Sequence, residues 1–101
     1  MAVSVSNYYR QLLSDSVRTK VASIRIYQGS TAVKTGVPEI IQHDAYSWTA
    51  QLELSSVELV GVAISKATLI DVDGNIIITK TVDVPKAKGA EAVTIAMRMN
   101  F

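Results

Sequence analysis

The amino-acid sequence predicts a mostly β fold: an antiparallel β-sandwich or strongly twisted sheet of about six to eight strands, with one short N-terminal helix. Apolar and polar side chains alternate along several segments, as they do in strands with one buried face. Asp73-Gly74 separates two β-branched segments, which is a strong hairpin signal. Only the region near the start favours a helix.

The N-terminal helix is predicted from its capping residues and its apolar side. Ser6 and Asn7 are favourable N-cap residues, and residues 8–13 contain neither Gly nor Pro. Residues 14–16, Ser-Asp-Ser, are expected to end the helix. Because so short a helix is marginal alone, its aromatic side must dock, either on its own sheet or on a neighbouring subunit.

The strands follow from alternation and from turn residues. Residues 20–27 and 31–35 are predicted strands on either side of a Gln-Gly-Ser turn. Residues 36–38, Gly-Val-Pro, break the pattern, and the chain up to Asp44 is expected to be an irregular, exposed connection. The clearest strand spans residues 45–54. Its apolar side carries Tyr46, Trp48, Ala50, Leu52 and Leu54.

The second half of the chain continues the β pattern. Residues 57–71 predict one broken strand or two, with Gly61 as a bulge. Three consecutive isoleucines, residues 76–78, make both faces of the next strand apolar, so that strand is expected to be central in a sandwich or covered by a partner. Residues 85–89 are expected to form a loop, and residues 92–101 a final strand paired in a sheet.

Length and composition predict one domain with part of its surface covered. The 101 residues suit a single core, with residues 1–18 as a helical segment and residues 19–101 as a β domain. Hydrophobic residues make up 49% of the chain and charged residues 19%, against a typical charged share of about 25%. This excess favours burial at an interface. The alternative is an ordinary core with many Ala and Val residues on the surface.

Charge and cysteine content narrow the classes of function. The net charge of +1 provides no basic surface for nucleic acid or for an anionic membrane. No apolar segment approaches the roughly 18 residues of a membrane-spanning helix, and no signal peptide is recognisable. The chain has no cysteine, which excludes disulfides, thiolate metal sites and Cys nucleophiles. We expect a soluble protein made in the cytoplasm.

Two groups of residues invite a chemical interpretation that their surroundings do not support. Asp71, Asp73 and Asn75 resemble the opening of a calcium-binding loop, but Ile76 replaces the required Gly and Val82 replaces the bidentate Glu. These residues instead suit a hairpin turn.

His43, the only histidine, precedes Asp44, and Ser47 or Ser55 could be imagined as a nucleophile. No elbow motif or oxyanion loop accompanies them, so His43 is expected to face solvent on a loop. The glycines form no phosphate-binding motif either. We therefore expect no enzyme activity, no metal and no cofactor.

Two further features could contact a ligand. Lys86 and Lys88 form a small basic loop that could touch phosphate or an acidic partner, although a solvated hairpin tip is the favoured interpretation. Tyr46 and Trp48 could stack on a base or a sugar. Without basic residues on the same side of the strand, core packing is favoured for both.

Residues 6–13, Ser-Asn-Tyr-Tyr-Arg-Gln-Leu-Leu, are followed by a β-rich middle, by residues 69–76 and by a closing strand that ends at Phe101. In these features and their order, the chain resembles small tail and baseplate-associated proteins of phages and prophages. The resemblance implies a virion component assembled in the bacterial cytoplasm. Its partners would be copies of itself, as a trimer or hexamer, and other phage structural proteins. It implies no catalytic residues.

We therefore predict a structural subunit that works by self-association. A capsid-decorating or fibre-type adhesion module that binds a host glycan or protein is the alternative, and an exposed Trp48 or Tyr46 in a concave patch would favour it. The residues predicted to pack between subunits are Tyr8, Tyr9, Leu12, Leu13, Ile77 and Phe101.

Overall fold

The computed structural model describes residues 6–55, 62–85 and 92–101, and they form one helix and seven antiparallel strands. The elements in chain order are α1 (Asn7–Lys20), β1 (Val21–Gln28), β2 (Thr31–Gly36), β3 (Glu39–Asp44), β4 (Ser47–Leu54), β5 (Ala63–Asp71), β6 (Ile76–Pro85) and β7 (Val93–Asn100). The predicted fold class is confirmed.

The strands are arranged in two sheets. The first sheet has the order β2-β1-β5-β6 and the second has the order β3-β4-β7. The chain passes from the first sheet to the second after β2, where only Val37 and Pro38 separate the two strands. It returns to the first sheet between β4 and β5, and crosses again between β6 and β7.

Side chains from both sheets form the core between them. The first sheet contributes Ile24, Ile26, Ile64, Ala67 and Leu69. The second sheet contributes Trp48, Ala50, Leu54, Ile95 and Met97. These residues alternate along their strands with polar ones, so the predicted period-two pattern marks the inward faces correctly in β1, β4 and β7.

The predicted Asp-Gly hairpin joins β5 to β6. Ile70 lies opposite Ile76 across this hairpin, and Gly74 adopts a φ of 85° that favours glycine. One carboxylate oxygen of Asp71, Oδ1, accepts hydrogen bonds from the backbone N–H groups of Asp73 and Asn75, at 2.9 and 2.8 Å. The turn therefore uses its acidic residue to satisfy backbone donors.

Three predictions about the elements need correction. The helix continues through residues 14–16 to Lys20, because Ser14 lies on its buried side, where its carbonyl oxygen accepts a hydrogen bond from Trp48. Residues 39–44 are a strand, not an irregular connection, because their backbone pairs with β4 after the interruption at Pro38. Of the two expectations for β6, a central position is wrong, because β6 is an edge strand, and cover by a partner stays a prediction. The predicted bulge at Gly61 lies outside the described residues.

Candidate interaction surface

The helix α1 lies on one end of the sandwich, close to the start of β4 and the end of β7. Its N-terminus is capped by Ser6, whose hydroxyl accepts from the N–H of Tyr9 and whose carbonyl accepts from the N–H of Arg10. Arg10, Ser14 and Val17 follow each other at i, i+4 and i+7, and they share the side that faces the sandwich.

Arg10 attaches the first half of the helix to the sandwich. Its Nε donates a hydrogen bond of 2.8 Å to the carbonyl oxygen of Phe101. Its guanidinium also lies over the ring of Tyr46, 4.2 Å from the centroid. The Phe101 ring in turn stacks on Trp48, with 6.4 Å between the centroids. One side chain therefore joins the helix to the residue that precedes β4 and to the residue that follows β7.

Trp48 attaches the middle of the helix to the core of the sandwich. Its indole is fully buried, and Nε1 donates a hydrogen bond of 3.2 Å to the carbonyl oxygen of Ser14. Ser14 is itself 0% exposed, so the helix contacts the sandwich closely at this position. Val17 packs against the edge of the same core. Together with Arg10, these contacts fix which side of the helix faces inward.

The opposite side of the helix carries four large apolar residues in solvent. Tyr8 is 70% exposed, Tyr9 57%, Leu12 49% and Leu13 51%. The two tyrosine rings contact each other edge to face, with centroids 5.2 Å apart. We call these four residues the helix patch. Half of the eight exposed large hydrophobic residues described for the chain belong to it.

The six predicted interface residues fall into two groups. Four of them make up the helix patch. Ile77 is half-buried and packs against the core from β6, and Phe101 is half-buried beneath Arg10 and beside Trp48. The structure therefore brings only the helical four together on an open surface.

The prediction did not identify the residues that orient the helix. Arg10, Ser14 and Trp48 hold it in place, yet none of the three was singled out for this role. The spacing of Arg10, Ser14 and Val17 was a usable signal, because it marks a second side of the helix opposite the aromatic one. Because Arg10 and Ser14 are polar, a search for apolar residues did not detect this side of the helix.

The residues considered for catalysis do not converge. His43 is exposed on β3 and its Nε2 lies 2.6 Å from the Oγ1 of Thr49, so the expectation of a loop position is wrong. Asp44 turns away from the imidazole: its Oδ1 accepts a hydrogen bond of 2.7 Å from the N–H of Tyr46. That bond, followed by the hydroxyl of Ser47, lowers the pKa of Asp44. The carboxylate therefore serves the β3–β4 turn.

The other candidate sites are equally accounted for. Within residues 6–55, 62–85 and 92–101 no group of three or more His, Asp or Glu side chains could hold a metal ion. Trp48 is buried and Tyr46 lies under Arg10, so this aromatic pair does not present a stacking platform. Lys86 and Lys88 lie outside the described residues.

Comparisons with protein-family models, curated proteins and solved structures found no match to this chain. In the part of the chain that the structure describes, no helix is long and apolar enough to cross a membrane. The arguments about function therefore depend on this chain's own residues, and the helix patch is the feature that most needs an explanation.

Proposed function

We propose that this protein is a non-enzymatic structural subunit that associates with copies of itself through the helix patch, as part of a phage tail or virion assembly. The observation that carries the proposal is the orientation of α1. The helix is fixed by hydrogen bonds through its polar side, and its aromatic and aliphatic side faces solvent.

The free energy gained by burying apolar side chains supports the proposal that the helix patch is covered in the assembly. An isolated subunit leaves two tyrosines and two leucines about half exposed or more, and covering a large apolar side chain contributes about 1.5–3 kcal/mol. Rolling the helix to bury them would break the bond from Arg10 to Phe101 and that from Trp48 to Ser14. A neighbouring subunit can cover the same residues without that loss.

The chemistry of the helix patch suits a protein partner. Tyrosine is enriched at the energetically dominant positions of interfaces, because its ring packs and its hydroxyl stays hydrogen-bonded at the rim. The patch contains no charged side chain, so two copies can approach it without burying like charges. The resemblance of residues 6–13 to phage tail proteins gives the proposed assembly its biological setting, with a trimer or hexamer as the proposed stoichiometry.

The test is the mass of the particle in solution, measured by light scattering behind a sizing column over a range of concentrations. We expect the wild-type chain to form a closed oligomer and Leu12→Asp to shift it to monomer. Because Leu12 is half exposed, the substitution should change the free energy of unfolding of the monomer by less than about 1 kcal/mol.

Val37→Asp is the matched control, because Val37 is 82% exposed and lies far along the chain, between β2 and β3. This variant should keep the wild-type mass. A wild-type chain that stays monomeric at every concentration would contradict self-association. Equal loss of assembly in both variants would show that the helix patch is not the interface.

A further inference from the structure

A second surface, independent of the helix patch, lies on the outer face of the first sheet. Across all four strands, the residues directly opposite each other form one row of Thr35, Arg25, Thr68 and Thr79. The adjacent row consists of Ala32, Tyr27, Lys66 and Thr81. The two rows share the outer face, because Ile24, Ile26 and Leu69 alternate with them and point into the core.

These rows carry two positive charges and no acidic residue. Lys66 Nζ lies over the ring of Tyr27, 4.3 Å from its centroid, so the ring holds the ammonium group in place. An ion pair of the described residues, between Arg18 and Asp15, lies in the helix and not on this face. Asp83 on β6 is the nearest acidic residue in sequence, two positions beyond Thr81 and outside both rows.

Tyr27 interacts with both cations of this face. Its pKa is lowered mainly by a hydrogen bond from Arg25 to the phenolic oxygen, and the charges of Arg25 and Lys66 make the smallest contributions. Both cations are thus positioned by one tyrosine, from two neighbouring strands. Diagonal residues on paired strands lie about 7–8 Å apart, a separation that allows one anionic group to contact both.

We propose that the outer face of the first sheet binds an oxyanion group, a sulfate, phosphate or carboxylate, between Arg25 and Lys66. The guanidinium offers paired N–H donors that match two oxygens of such a group, and Lys66 adds a second charge. The exposed hydroxyls of Thr35 and Thr79 in the first row supply further donors on the same face, whereas Thr68 is buried. An aromatic stacking ligand is disfavoured, because Lys66 covers one face of the Tyr27 ring.

The test follows the ionisation of Tyr27 by ultraviolet difference absorbance, with Tyr27→Phe as the blank for the other three tyrosines. Sodium sulfate is the probe, and sodium chloride at matched ionic strength controls for screening. We expect sulfate to raise the pKa of Tyr27 with a saturable concentration dependence, because it neutralises the two cations. Chloride should give only a gradual change.

Variants then separate a site from general screening. Arg25→Gln and Lys66→Gln should each weaken the apparent affinity for sulfate about tenfold or more, whereas Arg98→Gln should leave it unchanged. Arg98 is a suitable control because it lies on the second sheet, where its Nε bonds to Asn100. Equal effects of sulfate and chloride, or full sulfate affinity in Arg25→Gln, would overturn the proposal.

A comparison of a sulfated polymer with the free anion identifies the source of the oxyanion. Dextran sulfate and inorganic sulfate are compared at equal sulfate concentration, with neutral dextran as the control. Much tighter binding of the polymer, again lost in Arg25→Gln, would assign the site to a sulfated or similarly acidic polymer. Equal binding per sulfate would assign it to the free anion. Binding of neutral dextran would contradict an oxyanion site.

Discussion

At the scale of single residues, the polar side chains that were considered for catalysis or metal binding make structural hydrogen bonds instead. The carboxylate of Asp71 accepts hydrogen bonds from two backbone N–H groups within its turn, and that of Asp44 accepts one from the N–H of Tyr46. His43 contacts a threonine hydroxyl instead of a carboxylate. The sequence alone could show that these residues lack catalytic companions. It could not show that the two aspartates hold turns together, since that depends on the backbone path.

The pKa of Asp44 makes a prediction for stability against pH. Since hydrogen bonds from Tyr46 and Ser47 lower this pKa in the folded protein, the unfolded chain binds more protons in the acid range. The carboxylate therefore contributes stability that is fully present above the ordinary Asp pKa of about 3.9 and is lost as the pH falls below it. Asp44→Asn removes this titration while keeping an oxygen that can accept from Tyr46.

We expect the midpoint of urea unfolding to fall less between neutral and acid pH in Asp44→Asn than in the wild type. The two proteins should differ most at neutral pH and converge at acid pH. Asp73→Asn is a useful control, because the Asp73 side chain is exposed in the hairpin turn and the turn is held by Oδ1 of Asp71. Parallel pH dependences in wild type and Asp44→Asn would contradict the assignment.

At the scale of elements, alternation of side chains predicted the strands whose two faces differ most. In β4 and β7 the inward residues are buried, so the period-two pattern is strong and the prediction is accurate. The strand β3 was missed because five of its six residues are exposed, which removes the alternation that burial would impose. Exposure of both faces explains the failure, and not edge position alone, because β7 is also an edge strand and was predicted correctly.

The helix shows the same limit in another form. Its apolar side was recognised correctly, and docking of that side was expected. The structure leaves the aromatic side open and docks the side that contains Arg10 and Ser14. Hydrophobic patterning does not indicate this arrangement, because the docking contacts are hydrogen bonds to main-chain carbonyls that appear only once the strands are in place.

Between the edge strands β6 and β7 the sandwich is open, and Lys80 protects this edge against pairing with another strand. Lys80 lies opposite the buried Ala67, and its Nζ donates a hydrogen bond of 2.8 Å to the carbonyl oxygen of Ala96 on β7. A lysine in this position places a charge where another strand would have to pair, and edge strands are commonly protected in this way.

Lys80→Ala should therefore increase aggregation more than it lowers stability. We expect a loss of less than about 1 kcal/mol in the free energy of unfolding, and clearly faster growth of thioflavin-positive aggregates on agitation. Lys66→Ala, on the neighbouring strand but on the outer face, is the control and should aggregate like the wild type. Identical aggregation of both variants and the wild type would show that Lys80 does not protect this edge.

At the scale of the whole molecule, the helix and the sandwich share their anchoring residues. Trp48 belongs to the core between the sheets and also donates to Ser14 in the helix. Phe101 follows the last strand and accepts from Arg10. Undocking the helix would open the end of the core above the buried indole, so we expect helix and sandwich to unfold together.

Trp48 is the only tryptophan and can report this coupling directly. In the Leu12→Asp background, which removes the proposed self-association, Trp48 fluorescence and far-UV circular dichroism should give coincident urea transitions. Arg10→Gln should shift both curves together, by about 1–3 kcal/mol, since it removes a charge-assisted hydrogen bond and the contact with Tyr46. If the fluorescence changes at a lower urea concentration than the dichroism, the helix detaches from an intact sandwich. That outcome would also weaken the argument for assembly, because a helix that detaches easily could roll to cover Tyr8, Tyr9 and the leucines within its own subunit.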